Sequence, residues 1–223
     1  MTPLSRRQMA WRVAQDVADG AYVNLGIGMP TLVSDYLPEG REIVVHSENG
    51  ILGMGGAPKP GEEDKDLVNA GKGLTTLVPG GAFFHHNDAF VMIRGGHLDL
   101  SIMGAFEVSE TGDLANWTTE DPSFSPGVGG AMDLAVGARE VRALMEHTTK
   151  DGTPRIRKRC GYPLTAPRCV KRIYTNLAVL DITADGVVVR ELVDGLDLPE
   201  LQALTEPKLT LANDWRRLIA PAL

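Results

Sequence analysis

The chain contains little cysteine. Only two cysteines, Cys160 and Cys169, occur in 223 residues, and eight residues separate them. Neither has further ligand residues nearby at the spacing of a zinc site, so we expect no metal centre. The sequence leaves open whether the two cysteines form a disulfide. Two thiols in a chain whose N-terminus lacks a signal-peptide pattern fit a reducing compartment, so we expect a cytoplasmic protein.

Long apolar runs and a basic surface are also missing. No stretch approaches the ~18 consecutive apolar residues that a membrane span needs. Acidic residues outnumber Lys and Arg by 29 to 22, which gives a formal net charge of −7. A nucleic-acid-binding domain would instead show a basic stripe. We therefore expect neither a membrane nor a nucleic acid as a partner.

One local basic run departs from this acidic background. The segment RIRKRC covers Arg155–Cys160, and its charges lie within six residues. Two interpretations remain open for it. The run is either a solvated face or a local site for phosphate or for a negatively charged partner surface.

Glycine, in contrast, is abundant and clustered. The chain has 25 glycines, which is roughly 11% against a usual ~7%. Three glycine-rich segments are interpreted as junctions between a strand and a loop: NLGIGMP (Asn24–Pro30), SENGILGMGG (Ser47–Gly56) and GVGGAMD (Gly127–Asp133). Ligands of an open parallel sheet bind outside the carboxyl ends of its strands. We therefore expect the three loops to converge on one crevice.

The apolar pattern predicts an α/β protein with an open, mainly parallel sheet covered by helices. A helix is predicted from Ser5 as N-cap to a stop at Gly20, and another over Leu198–Thr205. Short apolar runs without clean alternation predict buried strands. They include AYVNLGIG, EIVVHS, LTTLVPGG, AFVMIRGG, LDLSIMGAFEV, VRALMEH, YTNLAVLDIT and GVVVRELV. We interpret residues 1–223 as a single domain.

Glu48 is the residue with the clearest chemical potential. It stands between the strand-like run EIVV and four glycines, Gly50, Gly53, Gly55 and Gly56. A carboxylate is ionised at neutral pH and needs no base to act as a nucleophile. Attack on a thioester would give an acyl-glutamyl anhydride and a thiolate, and return of the thiolate would give a glutamyl thioester. Such a site needs room and backbone N–H donors, which glycine loops can supply. A structural pairing role for Glu48 is the alternative.

Two other functions compete with acyl transfer. The segment Gly26-x-Gly28-x-x-Thr31 nearly matches a dinucleotide-binding fingerprint, but it lacks the third glycine. A tight strand-to-helix turn explains the same residues. A non-catalytic ligand-sensing module on a related α/β fold is the second alternative, although such a sensor has no use for a nucleophile in a glycine-lined slot.

Several segments together resemble a known family. They are VNLGIGMPTLV, HSENGILGMGG, DLVNAGK, IRGGHLDLSIMGAFEVSETGDLANW and GGAMDLAVGAREV. This set resembles the B subunit of the two-subunit 3-oxoacid coenzyme A-transferases, from about Arg7 to about Thr205. AYVNLGIG, GGAFFHHNDAF and CVKRIY are most similar to the 3-oxoadipate branch.

The resemblance implies a role for particular residues. Glu48 would be the nucleophile, Asn24 would line the active site, and Gly129 or Gly130 would donate an N–H to the oxyanion or to coenzyme A. The implied reaction moves coenzyme A from succinyl-CoA to a 3-oxo acid, 3-oxoadipate or acetoacetate. It needs no resident cofactor, but it does need an A subunit, so we expect a hetero-oligomer.

His85 and His86 follow two phenylalanines in the segment that resembles the 3-oxoadipate branch. Adjacent histidines point in diverging directions, so joint metal binding is not expected. Structural or surface roles are one interpretation. In the other, one of the two rings meets the far carboxylate of a dicarboxylic substrate, a contact for which the basic run at Arg155–Arg159 is a further candidate.

Overall fold

A computed structural model describes residues 1–119, 121, 123 and 127–223. The described residues form four α-helices, a 3₁₀ helix over Met29–Tyr36 and thirteen strands. The helices are α1 (Arg6–Gln15), α2 (His86–Arg94), α3 (Ala131–Gly137) and α4 (Leu198–Ala203). The first seven strands are β1 (Tyr22–Leu25), β2 (Val44–Ser47), β3 (Ile51–Met54), β4 (Leu77–Phe83), β5 (Leu100–Met103), β6 (Glu107–Ser109) and β7 (Leu114–Ala115). The others are β8 (Glu140–Leu144), β9 (Ile156–Arg157), β10 (Val170–Tyr174), β11 (Ala178–Thr183), β12 (Gly186–Val193) and β13 (Leu209–Leu218).

Ten of these strands form one open sheet. Its order is β13-β12-β11-β10-β8-β5-β1-β2-β3-β4. The central strands β10, β8, β5, β1 and β2 are all parallel, and β3 and β4 add an antiparallel edge. A small second sheet has the order β7-β6-β9. The predicted open, mainly parallel α/β fold is confirmed, while the extent of a single domain stays a prediction.

Helix α1 forms where the sequence predicts it. Ser5 caps the helix through a hydrogen bond from the Gln8 amide, and the Gln8 side chain accepts from the Ser5 amide in return. Such a reciprocal pair satisfies two N–H groups that a helix start leaves free. Met9 and Val13 are buried at helical spacing. The helix ends at Gln15, earlier than the predicted stop at Gly20.

The predicted strand AFVMIRGG is wrong, because this segment lies in α2. Ala89 and Ile93 are fully buried four residues apart, whereas Val91 between them is 66% exposed. That one-sided burial is the signature of a helix on a sheet face. His85 caps the helix by accepting a hydrogen bond from the Asn87 amide. A high content of apolar residues by itself therefore predicts a strand where the chain forms a helix.

Strands β3 and β13 are not predicted by the sequence pattern. The first is only four residues long and belongs to the glycine-rich stretch after Glu48. The second contains the polar sequence ANDWRR and runs along the outer side of β12. An edge strand of this kind owes its structure to backbone pairing with its neighbour rather than to its own apolar pattern.

Two further observations concern the cysteines and the expected lack of a membrane span. Both cysteines are free thiols, and burial raises the pKa of Cys160 to about 12 and that of Cys169 to about 11. Within the described ranges, no helix has both the length and the apolar character to cross a membrane.

A buried ion pair fastens α1 to the sheet. The Arg12 guanidinium donates two hydrogen bonds to the Glu191 carboxylate of β12, at 2.5 and 2.8 Å. The two side chains are only 8% and 5% exposed. Arg12 also pairs with Asp16, and Arg216 reaches Glu191 from the neighbouring strand β13. Burying charges is costly, so losing one partner leaves the other without compensation.

We therefore expect Arg12→Met to lower the free energy of unfolding by about 3 kcal/mol or more. Arg216→Met is the matched control, because this arginine contacts the same carboxylate but is 68% exposed. Exposed ion pairs contribute about 0–1 kcal/mol, so the control should lose far less. Denaturant unfolding of both variants measures the difference. Equal losses would show that burial of the Arg12 pair does not hold α1 in place.

A second buried polar group lies beyond the end of β8. His147 is fully buried, and its ring nitrogens bond to Thr175 at 3.0 Å and Thr205 at 2.9 Å. Burial lowers the pKa of His147 to about 4. The ring therefore joins three chain segments while it is uncharged.

His147 should make the fold less stable in acid. Between about pH 6.5 and about pH 4 the unfolded chain binds a proton at this histidine and the folded chain does not, so stability falls as pH falls. The loss is at most on the order of 3 kcal/mol by pH 4. Stability of the wild type and of His147→Gln, measured at about pH 7 and about pH 4.5, isolates this contribution. A His147→Gln protein with the wild-type pH profile would contradict the prediction, and His85→Gln controls for an exposed histidine.

Candidate active site

Three parallel strands place a row of buried polar side chains beneath the crevice. In the register of β1 with its neighbours, Asn24 lies opposite His46 of β2 and Ser101 of β5. All three residues are buried. Because partners in register point to the same face of a sheet, their side chains lie side by side.

Glu48 lies directly after β2, in the tight turn that leads into β3. Gly50 in this turn has φ +111, which side-chain-bearing residues rarely adopt. A Cβ atom there would also overlap the carbonyl oxygen of Phe84. The turn can therefore close only around a glycine, and the same turn presents Glu48 at the end of the strand.

Asn24 anchors the Glu48 side chain through a hydrogen bond. The Asn24 amide nitrogen donates to Glu48 Oε2 at 3.0 Å, and the same nitrogen lies 3.2 Å from the carbonyl oxygen and from Nδ1 of His46. Asn24 therefore links the strand to the carboxylate. A half-buried Glu48 keeps one carboxylate oxygen, Oε1, without a described partner.

His46 completes this support as an uncharged ring. Its Nδ1 lies 3.2 Å from the Asn24 amide nitrogen and accepts from it in the tautomer that carries the proton on Nε2. Burial lowers the pKa of His46, although the Glu48 charge acts in the opposite direction. The ring also stacks on Phe84 with centroids 5.9 Å apart. A neutral His46 thus fixes the direction in which the Asn24 amide points.

Glu48 lines a cavity of about 750 Å³. One wall comes from Gly26, Ile27 and the Gly127–Gly130 loop. Apolar side chains form much of the remainder: Met103, Phe106, Trp117, Leu134, Leu144 and Met145. Its charged lining residues besides Glu48 are Arg6, Glu146, Lys150 and Arg155. The space admits a substrate much larger than a simple carboxylic acid.

The predicted glycine loop reaches the carboxylate. A Cβ atom placed on Gly130 would lie 4.0 Å from Glu48 Cγ. Gly129 has φ +53, and among the described residues neither Gly129 nor Gly130 donates its backbone N–H to an acceptor. Both donors are therefore available to a ligand next to Glu48. The structure thus brings Asn24, Glu48 and this loop together.

The first glycine loop has a geometric explanation that needs no nucleotide. A Cβ atom on Gly26 would approach the carbonyl oxygen of Ile102 to 3.2 Å. Gly28 has φ +90 and precedes the 3₁₀ helix. These glycines serve close strand packing and a tight turn.

His86 contacts Glu48 from outside the cavity, whereas His85 lies at the start of α2. His85 caps α2, and His86 Nδ1 donates to the Glu48 carbonyl oxygen at 2.8 Å. The His86 ring also meets the edge of Phe90 at 5.0 Å. Neither histidine is among the described residues that line the cavity. A role for either in binding a far carboxylate stays a prediction.

Sequence reasoning misses one residue of the site. His46 is buried in β2, and its only signal is a histidine within an apolar strand. Arg155 lines the cavity, whereas the sequence offers the whole basic run Arg155–Arg159 without singling out this residue. Of its neighbours in that run, Arg157 pairs with Glu206 at 3.0 Å, and Lys158 and Arg159 are exposed. The run therefore divides into residues with separate environments.

Curated bacterial proteins match this chain almost end to end. The B subunit of 3-oxoadipate CoA-transferase from Pseudomonas putida is 58% identical over 91% of this chain and 94% of its own length. The B subunit of the same enzyme from Acinetobacter baylyi is 53% identical over 91% and 93%. The human mitochondrial succinyl-CoA:3-ketoacid coenzyme A transferase 2 is 46% identical over 97% of this chain, but over only 43% of its own length.

Solved structures share the fold at low sequence identity. An acyl-CoA transferase from Escherichia coli O157:H7 has a TM-score of 0.71 at 18% identity, over 96% of this chain and 43% of its own. A variant of the decarboxylase AibA/AibB has a TM-score of 0.67 at 16% identity, over 97% and 90%.

The description of the family whose model matches residues 6–200 is "Coenzyme A transferase". This match spans most of the chain, and it agrees with relatives that are more than half identical over nine-tenths of its length. The chain therefore belongs to the coenzyme A transferase family.

Proposed function

We propose that this chain is the B subunit of a coenzyme A-transferase that moves coenzyme A from succinyl-CoA to 3-oxoadipate. The observation that carries the proposal is Glu48, a carboxylate that is anchored by Asn24 and lines a large cavity. The Pseudomonas and Acinetobacter relatives, both named as B subunits of 3-oxoadipate CoA-transferase, support the choice of substrates.

The first half-reaction begins with attack of Glu48 on the thioester carbonyl of succinyl-CoA. A carbon–oxygen bond forms, the carbon–sulfur bond breaks, and coenzyme A leaves as a thiolate. The product on the enzyme is a mixed succinyl-glutamyl anhydride. The thiolate then attacks the glutamyl carbonyl carbon, which releases succinate and leaves coenzyme A joined to Glu48 as a thioester.

The second half-reaction runs the same steps in reverse with the acceptor. The carboxylate of 3-oxoadipate attacks the glutamyl thioester and displaces the thiolate, and the thiolate takes the 3-oxoadipyl group from the new anhydride. Glu48 is regenerated as a carboxylate. No proton or electron is needed from another group, so one ionised side chain suffices as the covalent catalyst.

Each tetrahedral intermediate carries a negative oxygen that must be stabilised. The backbone N–H groups of Gly129 and Gly130 have no acceptor among the residues that the structure describes, and Gly130 lies beside the Glu48 side chain, which supports a role as donors. One well-placed donor of this kind can contribute ~2.7–4 kcal/mol to the barrier. Asn24 would hold Glu48 in the direction of attack, with neutral His46 holding Asn24.

The proposal includes a partner A subunit. This chain matches less than half the length of the human relative, and it covers a similar fraction of the Escherichia coli acyl-CoA transferase. The Pseudomonas and Acinetobacter relatives are named as B subunits, which supports a separate A subunit here. A cytoplasmic location is part of the same proposal, since the free thiols of Cys160 and Cys169 fit a reducing compartment.

Acyl-CoA without an acceptor should load coenzyme A onto Glu48 in the complex with the A subunit. Borohydride reduction of the thioester followed by peptide mass spectrometry locates the modified residue. Glu48→Ala should abolish labelling and reduce turnover on the order of 10⁶-fold, as for loss of other covalent nucleophiles. Glu48→Asp should lose at least ~100-fold, because a shorter side chain withdraws the oxygens by about 1 Å.

The matched control for this labelling is Glu146→Gln, which changes another carboxylate that lines the same cavity. Label should still reach Glu48 in this variant. The present chain without its partner should give neither label nor turnover. Label on Glu42 or Asp133, or full activity without a partner, would contradict the mechanism.

We expect 3-oxoadipate to be a better acceptor than acetoacetate by at least about tenfold in kcat/KM. The far carboxylate of 3-oxoadipate gains a charge-assisted hydrogen bond that the methyl group of acetoacetate cannot make. Steady-state rates with succinyl-CoA and each acceptor measure the ratio. Preference for acetoacetate would overturn the substrate assignment. His85→Phe and His86→Phe test the histidines separately, because an unchanged ratio removes them from acceptor recognition.

A further inference from the structure

We propose that Arg155 binds the far carboxylate of the dicarboxylic acyl groups, an inference that rests on the proposed function. The site would take the carboxylate of a succinyl or 3-oxoadipyl group that lies at the opposite end from the reacting carbonyl. It would thereby select dicarboxylic over monocarboxylic substrates in both half-reactions.

Arg155 differs from the other arginines that are at least partly buried. Each of the others makes an ion pair with a carboxylate: Arg12, Arg142, Arg157, Arg172 and Arg190. The Arg155 side chain has no such partner in the part of the chain that the structure describes. A half-buried guanidinium without a counter-charge is unfavourable, and an anionic ligand would relieve that cost.

The charge balance of the cavity points to Arg155 rather than to its neighbours. Arg6 is paired with Glu146 at 3.3 Å, so its charge is already compensated. Lys150 is unpaired among the described residues but exposed, so water solvates it. Arg155 thus remains as the half-buried cation of the cavity that Glu48 also lines. An anion bound between apolar walls would interact with it more strongly than in open water.

The backbone holds Arg155 firmly. Its amide donates to the carbonyl oxygen of His147, and its own carbonyl accepts from the Val108 amide, at 3.1 and 3.0 Å. The next residue, Ile156, is fully buried in β9. A fixed anchor with a long side chain can reach carboxylates at slightly different distances, and a 3-oxoadipyl group is longer than a succinyl group.

The chemistry of a guanidinium matches this ligand. Its planar N–H donors can bind a carboxylate through two parallel hydrogen bonds, which gives orientation as well as charge. Acetoacetate ends in a methyl group and gains nothing from Arg155. A phosphate of coenzyme A is the competing anion, and the kinetics of the two half-reactions separate the two ligands.

The test uses Arg155→Gln in the complex with the A subunit. In a ping-pong reaction, kcat/KM for the acceptor reports only on the enzyme that already carries coenzyme A. We expect this value to fall roughly 10- to 100-fold for 3-oxoadipate, as for loss of a hydrogen bond to a charged group. It should change less than about twofold for acetoacetate, which lacks that hydrogen bond. With donors, succinyl-CoA should lose a similar factor and acetoacetyl-CoA should not.

Arg159→Gln is the matched control. It removes the same charge from the same segment, but this arginine is exposed and does not line the cavity. Its kinetics should equal those of the wild type. Arg155→Lys keeps the charge without the paired donors and should show an intermediate, still selective loss. Melting temperatures of all three variants check folding, and Arg155→Lys carries the test if Arg155→Gln does not assemble.

Three outcomes would overturn the inference. Equal losses for 3-oxoadipate and acetoacetate would make Arg155 a structural residue. Equal losses for both coenzyme A donors, with both acceptors unaffected, would assign it to a phosphate of coenzyme A. If Arg155→Gln has the kinetics of the wild type in both half-reactions, Arg155 does not bind either substrate. In each case the wild-type pair still transfers coenzyme A, whereas a wild-type pair without transfer would overturn the proposed function and this inference with it.

Discussion

Parallel pairing of β1 with β2 sets Asn24 beside His46, and the crevice depends on this register. A slip by one residue would turn every side chain of β1 to the other face of the sheet. The Asn24 amide would then no longer reach Glu48, and the neutral ring of His46 would lose the group that it orients. The position of the carboxylate is thus decided by the sheet rather than by the turn alone. The decarboxylase AibA/AibB shares this fold, and a fold by itself does not determine which reaction is catalysed. The positions of the side chains in the crevice therefore matter more than the fold.

Much of the fold follows from local signals in the sequence. The cap at Ser5 and the helical spacing of Met9 and Val13 in α1 are visible in the sequence alone. The segment of α2 is not, because its apolar residues fit a short strand as well as a helix. What decides between them is the packing of Ala89 and Ile93 against the sheet, which is a tertiary effect. The polar strand β13 is likewise created by its neighbour, since only pairing with β12 satisfies its backbone.

The sequence predicts the site where reactive residues occur in an unusual combination. A carboxylate between a buried strand and a cluster of glycines is unusual, and the structure gives the reason in the turn at Gly50. The loop around Gly130 also lies close to Glu48 as expected, although it precedes α3 and, in the part of the chain that the structure describes, does not follow a strand of the large sheet. Within the basic run at Arg155–Arg159 the sequence does not single out Arg155, because that choice depends on which arginines find a carboxylate after folding. Ion pairing across distant segments, such as Arg12 with Glu191, cannot be read from neighbouring letters.

Strand β4 forms the outer edge of the large sheet next to the crevice, and most of its residues are exposed. Val78 and Phe83 of this strand face solvent in the single chain. An open edge with apolar side chains is a template for further strand pairing, and proteins usually protect such edges. Here Pro79 lies within the strand, and the register with β3 shifts between Leu52 and Met54. A proline and an irregular register both hinder pairing with another chain, so the glycine- and proline-rich sequence of β4 protects the edge that its apolar side chains leave open.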